Sequence, residues 1–203
     1  MSEIRSTNLP PAVDDFAALL TEVRACRACG DQLPLGPRPV LQLSPGARIL
    51  IASQAPGSRV HESGIPFSDP SGDRLREWTG LSESEFYDPE KVAIVPVGLC
   101  YPGRGKSGDA PPRPECARLW RSRLLAQLPK LRLTLLVGSH AQAHALGPGN
   151  MTDRVRSYRR YLPAQFPLPH PSWRSRNWMA ANPWFEAEVL PVLRAHVRAP
   201  YAG

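Results

Sequence analysis

Three short apolar runs govern what this chain can fold into. They are Arg48-Ile-Leu-Ile-Ala52, Val92-Ala-Ile-Val-Pro-Val97 and Leu133-Thr-Leu-Leu-Val-Gly138. A strand with one wet face alternates apolar and polar residues. These runs do not alternate, so both of their faces must be covered. The segments between them carry helical signals. Asp14 is placed to cap a helix bearing Phe16, Leu19, Leu20 and Val23 at i, i+3, i+4, i+7 spacing. A second helix is expected to begin at Ser71 or Asp73 and to carry Leu75 and Trp78. Residues 113–128 read as an amphipathic helix, Ser139 to Leu146 as another, 151–161 as an Arg-rich helical stretch, and 184–197 as the last helix. Phe166-Pro-Leu-Pro-His170 reads as a short fourth strand.

Strands alternating with helices predict an α/β fold with a central, mostly parallel sheet. Residues 33–46, Ser53 to Asp69 and 101–112 read as connecting loops, rich in Pro and Gly. Parallel sheets bind ligands at the carboxyl ends of their strands, so the turns after residues 52, 97 and 168 are the places to look. No internal repeat or boundary interrupts the pattern. One domain is expected over 1–203, with residues 1–13 as a loose N-terminal arm.

Charge narrows the partners. Lys and Arg total 25 against 18 Asp and Glu, a net +7, which points to a polyanion such as nucleic acid. Lys91, Lys106 and Lys130 are the only lysines; the remaining cations are Arg, whose guanidinium grips two phosphate oxygens at once. A codon bias toward Arg explains that preference equally well, though not the positive balance. No run reaches the roughly 18 apolar residues of a membrane span, and the first residues lack the apolar core of a signal peptide. A cytoplasmic location, with reduced thiols, is therefore expected.

Four cysteines in a reducing compartment suggest metal ligands before disulfides. Cys26 and Cys29 form a C-x2-C pair; Cys100 and Cys116 form C-x15-C. Thiolates in this number suit a [4Fe–4S] cluster or a tetrahedral zinc, and spacing does not separate the two. Four unrelated buried thiols are the plainer alternative.

Three further segments bring a family into view. Ser53-Gln54-Ala55-Pro56-Gly57 resembles the G-E-A-P-G turn of the iron–sulfur branch of the uracil-DNA glycosylase superfamily. Gly64-Ile65-Pro66-Phe67 resembles its G-x-P-F segment, and His170-Pro171-Ser172 its late H-P-S motif. The four cysteines fall where that branch places its cluster ligands, with Cys100-Tyr-Pro-Gly similar to its C-x-P-P-G context. The likeness covers about residues 20 to 195. It implies a three-layer αβα fold around a four-stranded sheet. It also implies a [4Fe–4S] cluster on Cys26, Cys29, Cys100 and Cys116, and hydrolysis of the N-glycosidic bond of uracil or related bases in DNA by a monomer.

Base excision requires a flipped nucleotide, a held base, and stabilised charge on the leaving base and the sugar. By resemblance, Phe67 is the stacking platform; a packed core ring is the alternative. His170 is the donor to the base carbonyl, where a neutral imidazole gives one hydrogen bond. Gln54 replaces the motif Glu and is no base, yet its amide retains a role in orienting water or binding the base. Ala55 stands where another branch carries a catalytic Asp. Asp69, in Asp69-Pro-Ser-Gly72, resembles the D-A-S-G of a further branch. It is expected to position water or stabilise sugar charge, with helix capping as the alternative. His61 and Glu62 are its rivals.

Pro96 stands where the branch carries an Asn that reads uracil, so broader specificity is expected, extending to xanthine, hypoxanthine and modified uracils. Ser172, Trp173, Arg174 and Arg176 are expected at the DNA, through phosphate contacts and an aromatic wedge. Arg104, Lys106 and the arginines 154, 156, 159 and 160 are further phosphate candidates. No lysine lies within the pocket motifs, which predicts a monofunctional enzyme. Two other readings are a catalytically weak damaged-DNA-binding module and a zinc-stabilised nucleic-acid-binding protein.

Overall fold

The computed structural model describes residues 15–106 and 108–201. The expected arm and the Asp14 cap lie outside them. Helix α1 (Phe16–Arg24) is capped by Asp15, whose side chain accepts from the Ala18 N–H at 2.9 Å.

The apolar runs form strands β1 (Ile49–Ala52), β2 (Val92–Ile94) and β5 (Leu133–Val137); β6 (Gln165–Leu168) completes the sheet. All four are parallel, in the order β2-β1-β5-β6. The chain steps outward from β1 to β2, then returns to the other side of β1. That reversal puts the topological switch point between β1 and β5. Past the end of β2 the backbone still follows β1: Val95 N–H donates to Ile51 O, and Val97 N–H to Ser53 O at 2.9 Å. Pro167 is accommodated because β6 is an edge strand. The β2 edge is covered by loop 33–46. Gln42 bridges Ile94 there and donates through its side chain to Phe86 O and Val92 O.

Two-residue alternation divides each central strand between two cores. Ile49 and Ile51 face Trp78, Phe185 and Leu193, carried by α3 (Pro70–Thr79), the π-helical turn Phe185–Val189 and α10 (Leu190–Arg198). Leu50 faces Leu19 and Val23 of α1 and Trp120 and Leu124 of the 114–126 helix. That helix comprises α5 (Pro114–Cys116), a π-helical stretch Ala117–Arg121 and α6 (Ser122–Ala126). The result is three layers, αβα.

Three expectations need correction, and one short helix is additional. The loop before Asp69 contains a helix, α2 (Ser58–Ser63), stopped by Gly64 in the left-handed region. Helix α3 begins at Pro70, with Asp69 as its cap. A short α4 (Glu83–Phe86), with a Ser82–Glu85 capping box, precedes β2. Loop 101–112 contains a hairpin, β3 (Arg104–Gly105) and β4 (Gly108–Asp109). The remaining helices are α7 (Gly138–Leu146), α8 (Met151–Arg156) and α9 (Ser175–Ala181). The third of these has no counterpart among the expected elements.

Candidate active site

The turns that leave β1, β2, β5 and β6 line one cleft of about 780 Å³, within the range of small-ligand pockets. It sits at the carboxyl ends of the strands, over the switch point. Ser53, Gln54 and Ala55 come from the β1 turn, Pro96 from the end of β2, Ser139 and His140 from the start of α7, and His170 from the end of β6. Phe67 and Asp69 enter from the α2–α3 connection.

Phe67 is held in an unusual backbone state. Its φ is +55°, uncommon for a bulky residue. Its carbonyl accepts from Tyr87 Oη at 3.1 Å, and Gly72 lies so close beneath it that a Cβ there would stand 2.9 Å from Phe67 Cβ. The residue is only 8 % exposed and its ring packs edge-on against Phe86, yet it borders the cleft. Such strain persists where the surroundings over-determine it, and it gathers at functional sites.

Asp69 is an N-cap: its carboxylate accepts from Gly72 N–H at 3.0 Å. Capping and cleft lining coexist in the same side chain. His170 follows β6. Gly138, at φ +84°, allows the approach; a Cβ there would meet His170 Cβ at 3.2 Å. Arg74 of α3 donates to Ser172 O at 2.7 Å, and Ser175 Oγ donates to His170 O, so the H-P-S turn is tied at both ends. Burial holds the His170 imidazole below its ordinary value; the Asp69 charge opposes this and His140 adds to it. The ring is therefore neutral near pH 7 and able to donate from one nitrogen.

Residues 41–194 match the family model of the Uracil DNA glycosylase superfamily. The chain belongs to this superfamily. The matched segment contains every residue of the cleft except Val40, while Cys26 and Cys29 precede it. Membership makes DNA the substrate and hydrolytic glycosylase chemistry the general activity.

For a superfamily member, the rim of the cleft has the expected sign. Arg104, Lys106 and Arg174 line it, with Ser172 and Trp173. Trp173 is 72 % exposed, with the Arg174 guanidinium 5.2 Å from its ring centre. Trp178 instead packs inward against Trp184 and Phe185. Arg176 is exposed on α9 and does not border the cleft.

Several candidates are placed elsewhere. His61 is buried on α2 with its ring 6.3 Å from Tyr101, and does not line the cleft; α2 turns it away. Glu62 is exposed, and its carbonyl is bound by Arg38. Arg154 is buried and donates to the carbonyls of Gly147 and Pro148, which makes it a clamp on the α7–α8 turn. Arg156 and Arg159 lie over Trp184 and Tyr158. Lys106, expected as a phosphate contact outside the pocket motifs, lines the cleft from the 104–109 hairpin. Sequence reasoning passed over His140, Arg74 and the place of Asp109 in the cleft lining. His140 lies just past a strand end and was open to discovery by the strand-end rule; the other two depend on tertiary contacts.

The four thiols gather at a second cavity. Cys26, Cys29, Cys100 and Cys116 line one small apolar cavity together with Leu33, Leu99 and Trp120. Leu99 N–H donates to Cys116 Sγ at 3.2 Å and Trp120 Nε1–H to Cys26 Sγ at 3.3 Å. Burial pushes the Cys100 thiol up to about 11 and the Cys116 thiol up to about 12, and the neighbouring thiols add to both. Among the described residues, no three Cys, His, Asp or Glu side chains stand at the spacing of one shared metal ion.

Proposed function

We propose that this chain is a uracil-DNA glycosylase of relaxed base specificity that carries a [4Fe–4S] cluster. One observation supports the activity above others: Phe67, Asp69 and the neutral His170 border the same cleft at the sheet's switch point. A flipped base stacks on Phe67, worth about 1–3 kcal/mol. His170 donates to the base oxygen on which negative charge develops as the glycosidic bond breaks. The Asp69 carboxylate faces the cationic sugar. Arg104, Lys106 and Arg174 take phosphates, and the exposed Trp173 fills the gap in the stack.

Pro96 supports the relaxed specificity. It lines the cleft without a side-chain polar group, so nothing at that position rejects a base by leaving a buried donor unpaired. Uracil, xanthine and hypoxanthine are the expected substrates. The reaction ends at the abasic site, with Lys106 exposed on the hairpin at the cleft rim, where it meets phosphates. Borohydride reduction during turnover is expected to trap no protein–DNA adduct.

The thiol cavity fits a cluster. Four soft donors share it, two of them receive N–H bonds of the kind that tune cluster potentials, and the surroundings are apolar. Cys26 and Cys29 at the end of α1, with Cys100 and Cys116, would hold the cluster as thiolates, and it would cross-link α1 to the segment from Leu99 to Trp120.

The test is excision from single-stranded and mispaired oligonucleotides containing uracil, xanthine or hypoxanthine, followed by alkaline cleavage, with His170→Ala beside wild type. Cutting by wild type and strong loss in the variant support the reading. No cutting by iron-loaded wild type favours a damage-binding module, in which Gln54, Ala55 and Pro96 mark the lost chemistry.

A further inference from the structure

The cleft holds a second carboxylate that no motif marks. Asp109 sits on β4, across the hairpin from Arg104, and lines the cleft. Its Oδ2 lies 3.5 Å from where a Cβ of Gly57 would stand, hard against the turn after β1. That turn holds the hairpin in place. Gln54 Nε2 donates to Ala110 O at 2.9 Å, and Ala110 N–H donates to Gly103 O at 2.8 Å. Gln54 thus spends its amide on the residue next to Asp109, and an amide has no proton affinity to offer at neutral pH. The position that resembles a family Glu has become a tether for another carboxylate.

Resting on the glycosylase reading above, we propose that Asp109 orients and deprotonates the attacking water, with Gln54 as the positioning residue that holds Asp109 over the cleft. The water oxygen bonds to C1′ of the flipped nucleotide while the C1′–N bond breaks, its electron pair leaving on the base. The water proton passes to the Asp109 carboxylate and then to solvent. The base anion, held by donation from His170, takes a proton from solvent, so base and water are consumed and released in balance. The setting suits this work. Asp109 is exposed on the hairpin, yet its partial desolvation against the cleft wall raises the carboxyl above its ordinary value; Arg104 and Arg174 pull it back, Asp69 raises it further, and Tyr101 lies close enough to feel its charge. A carboxylate moved toward neutral pH is a stronger base.

A plainer role competes: Asp109 as a counter-charge to Arg104 and Arg174. The two roles predict different results for Asp109→Asn. A counter-charge, once removed, leaves more positive charge at the rim, so DNA binds as tightly or more tightly and excision continues. A base, once removed, slows excision by about 10²–10⁴-fold without weakening DNA binding. The experiment measures single-turnover excision of the best wild-type substrate and DNA affinity by fluorescence anisotropy. It uses wild type, Asp109→Asn, Asp109→Ala and Gln54→Glu, each checked by thermal melting. Sodium formate is expected to restore part of the Asp109→Ala rate where chloride at equal ionic strength does not. Gln54→Glu, which cannot donate to Ala110 O, is expected to lower kcat with KM unchanged. The proposal is overturned if Asp109→Asn cuts within roughly threefold of wild type, if its affinity falls in step with its rate, or if Gln54→Glu cuts faster. If wild type cuts none of the bases, the glycosylase reading fails and this falls with it; an active wild type beside an active Asp109→Asn sinks this proposal alone.

Discussion

Asp69 carries two roles that substitution can separate. As the cap of α3 its Oδ1 accepts from Gly72 N–H at 3.0 Å, and as a cleft residue it is proposed to present charge to the sugar. Removing a cap costs about 0.5–2 kcal/mol. Here the same N–H also reaches Asp69 O at 2.8 Å, so Asp69→Ala leaves the donor partly served. The cost should sit in the lower half of that range, about 1 kcal/mol, or 2–4 °C of melting temperature for a chain of this length. Asn caps a helix as well as Asp, so Asp69→Asn should melt with wild type. Excision should respond differently: both variants lack the charge, and both should fall by about 10²–10⁴-fold at a temperature where all three proteins are folded. The assays are a thermal melt by circular dichroism and single-turnover release of uracil. If Asp69→Asn loses as much melting temperature as Asp69→Ala, the cap argument is wrong. If either variant cuts within roughly threefold of wild type, the carboxylate has no chemical role and Asp69 is a cap alone.

Three further outcomes follow from the geometry. Gly138→Ala forces a side chain into the left-handed region, at about 1–2 kcal/mol, and drives it against His170 Cβ; melting temperature falls, and excision falls further than folding explains. Equal melting and equal rate would refute that packing. The buried His170 has a folded-state value below its unfolded 6.5, so the unfolded chain binds the proton first; the stability gained from the neutral ring is complete above 6.5 and declines as pH falls below it. His170→Asn should flatten that decline in melts between about pH 8 and pH 5, and an unchanged slope would assign it to other groups. Protein purified without oxygen should be brown and hold four iron and four sulfide per chain, with Cys116→Ser losing both colour and melting temperature; a colourless zinc protein would overturn the cluster.

What the sequence disclosed and what it withheld divide along a physical line. The central strands were legible because residues such as Ile49, Leu50 and Ile51, all buried, leave a continuous apolar run that no surface element imitates. The strand-end turns followed from them, and with those Gln54, Pro96 and His170 as cleft residues. Helix α2 was hidden because six residues offer too little periodicity; its stop depends on Gly64, and its rotation places His61 beside Tyr101, not in the cleft. The α9 helix was hidden by its cations and indoles, which read as a loop until Trp178 is seen packed on Phe185. Asp109 was hidden for a different reason. Nothing local distinguishes it from any acidic residue of a Gly-rich loop. Its meaning comes from a hairpin folded back onto Gly57 and fastened there by Gln54. Reading Gln54 as a failed Glu follows from its position in a motif; reading it as a tether requires knowing where its amide goes. The motif residue lies in the cleft, while its amide leads to a carboxylate that no motif marks. The missing carboxylate is to be sought among residues that the motif side chain holds, not at the motif position itself.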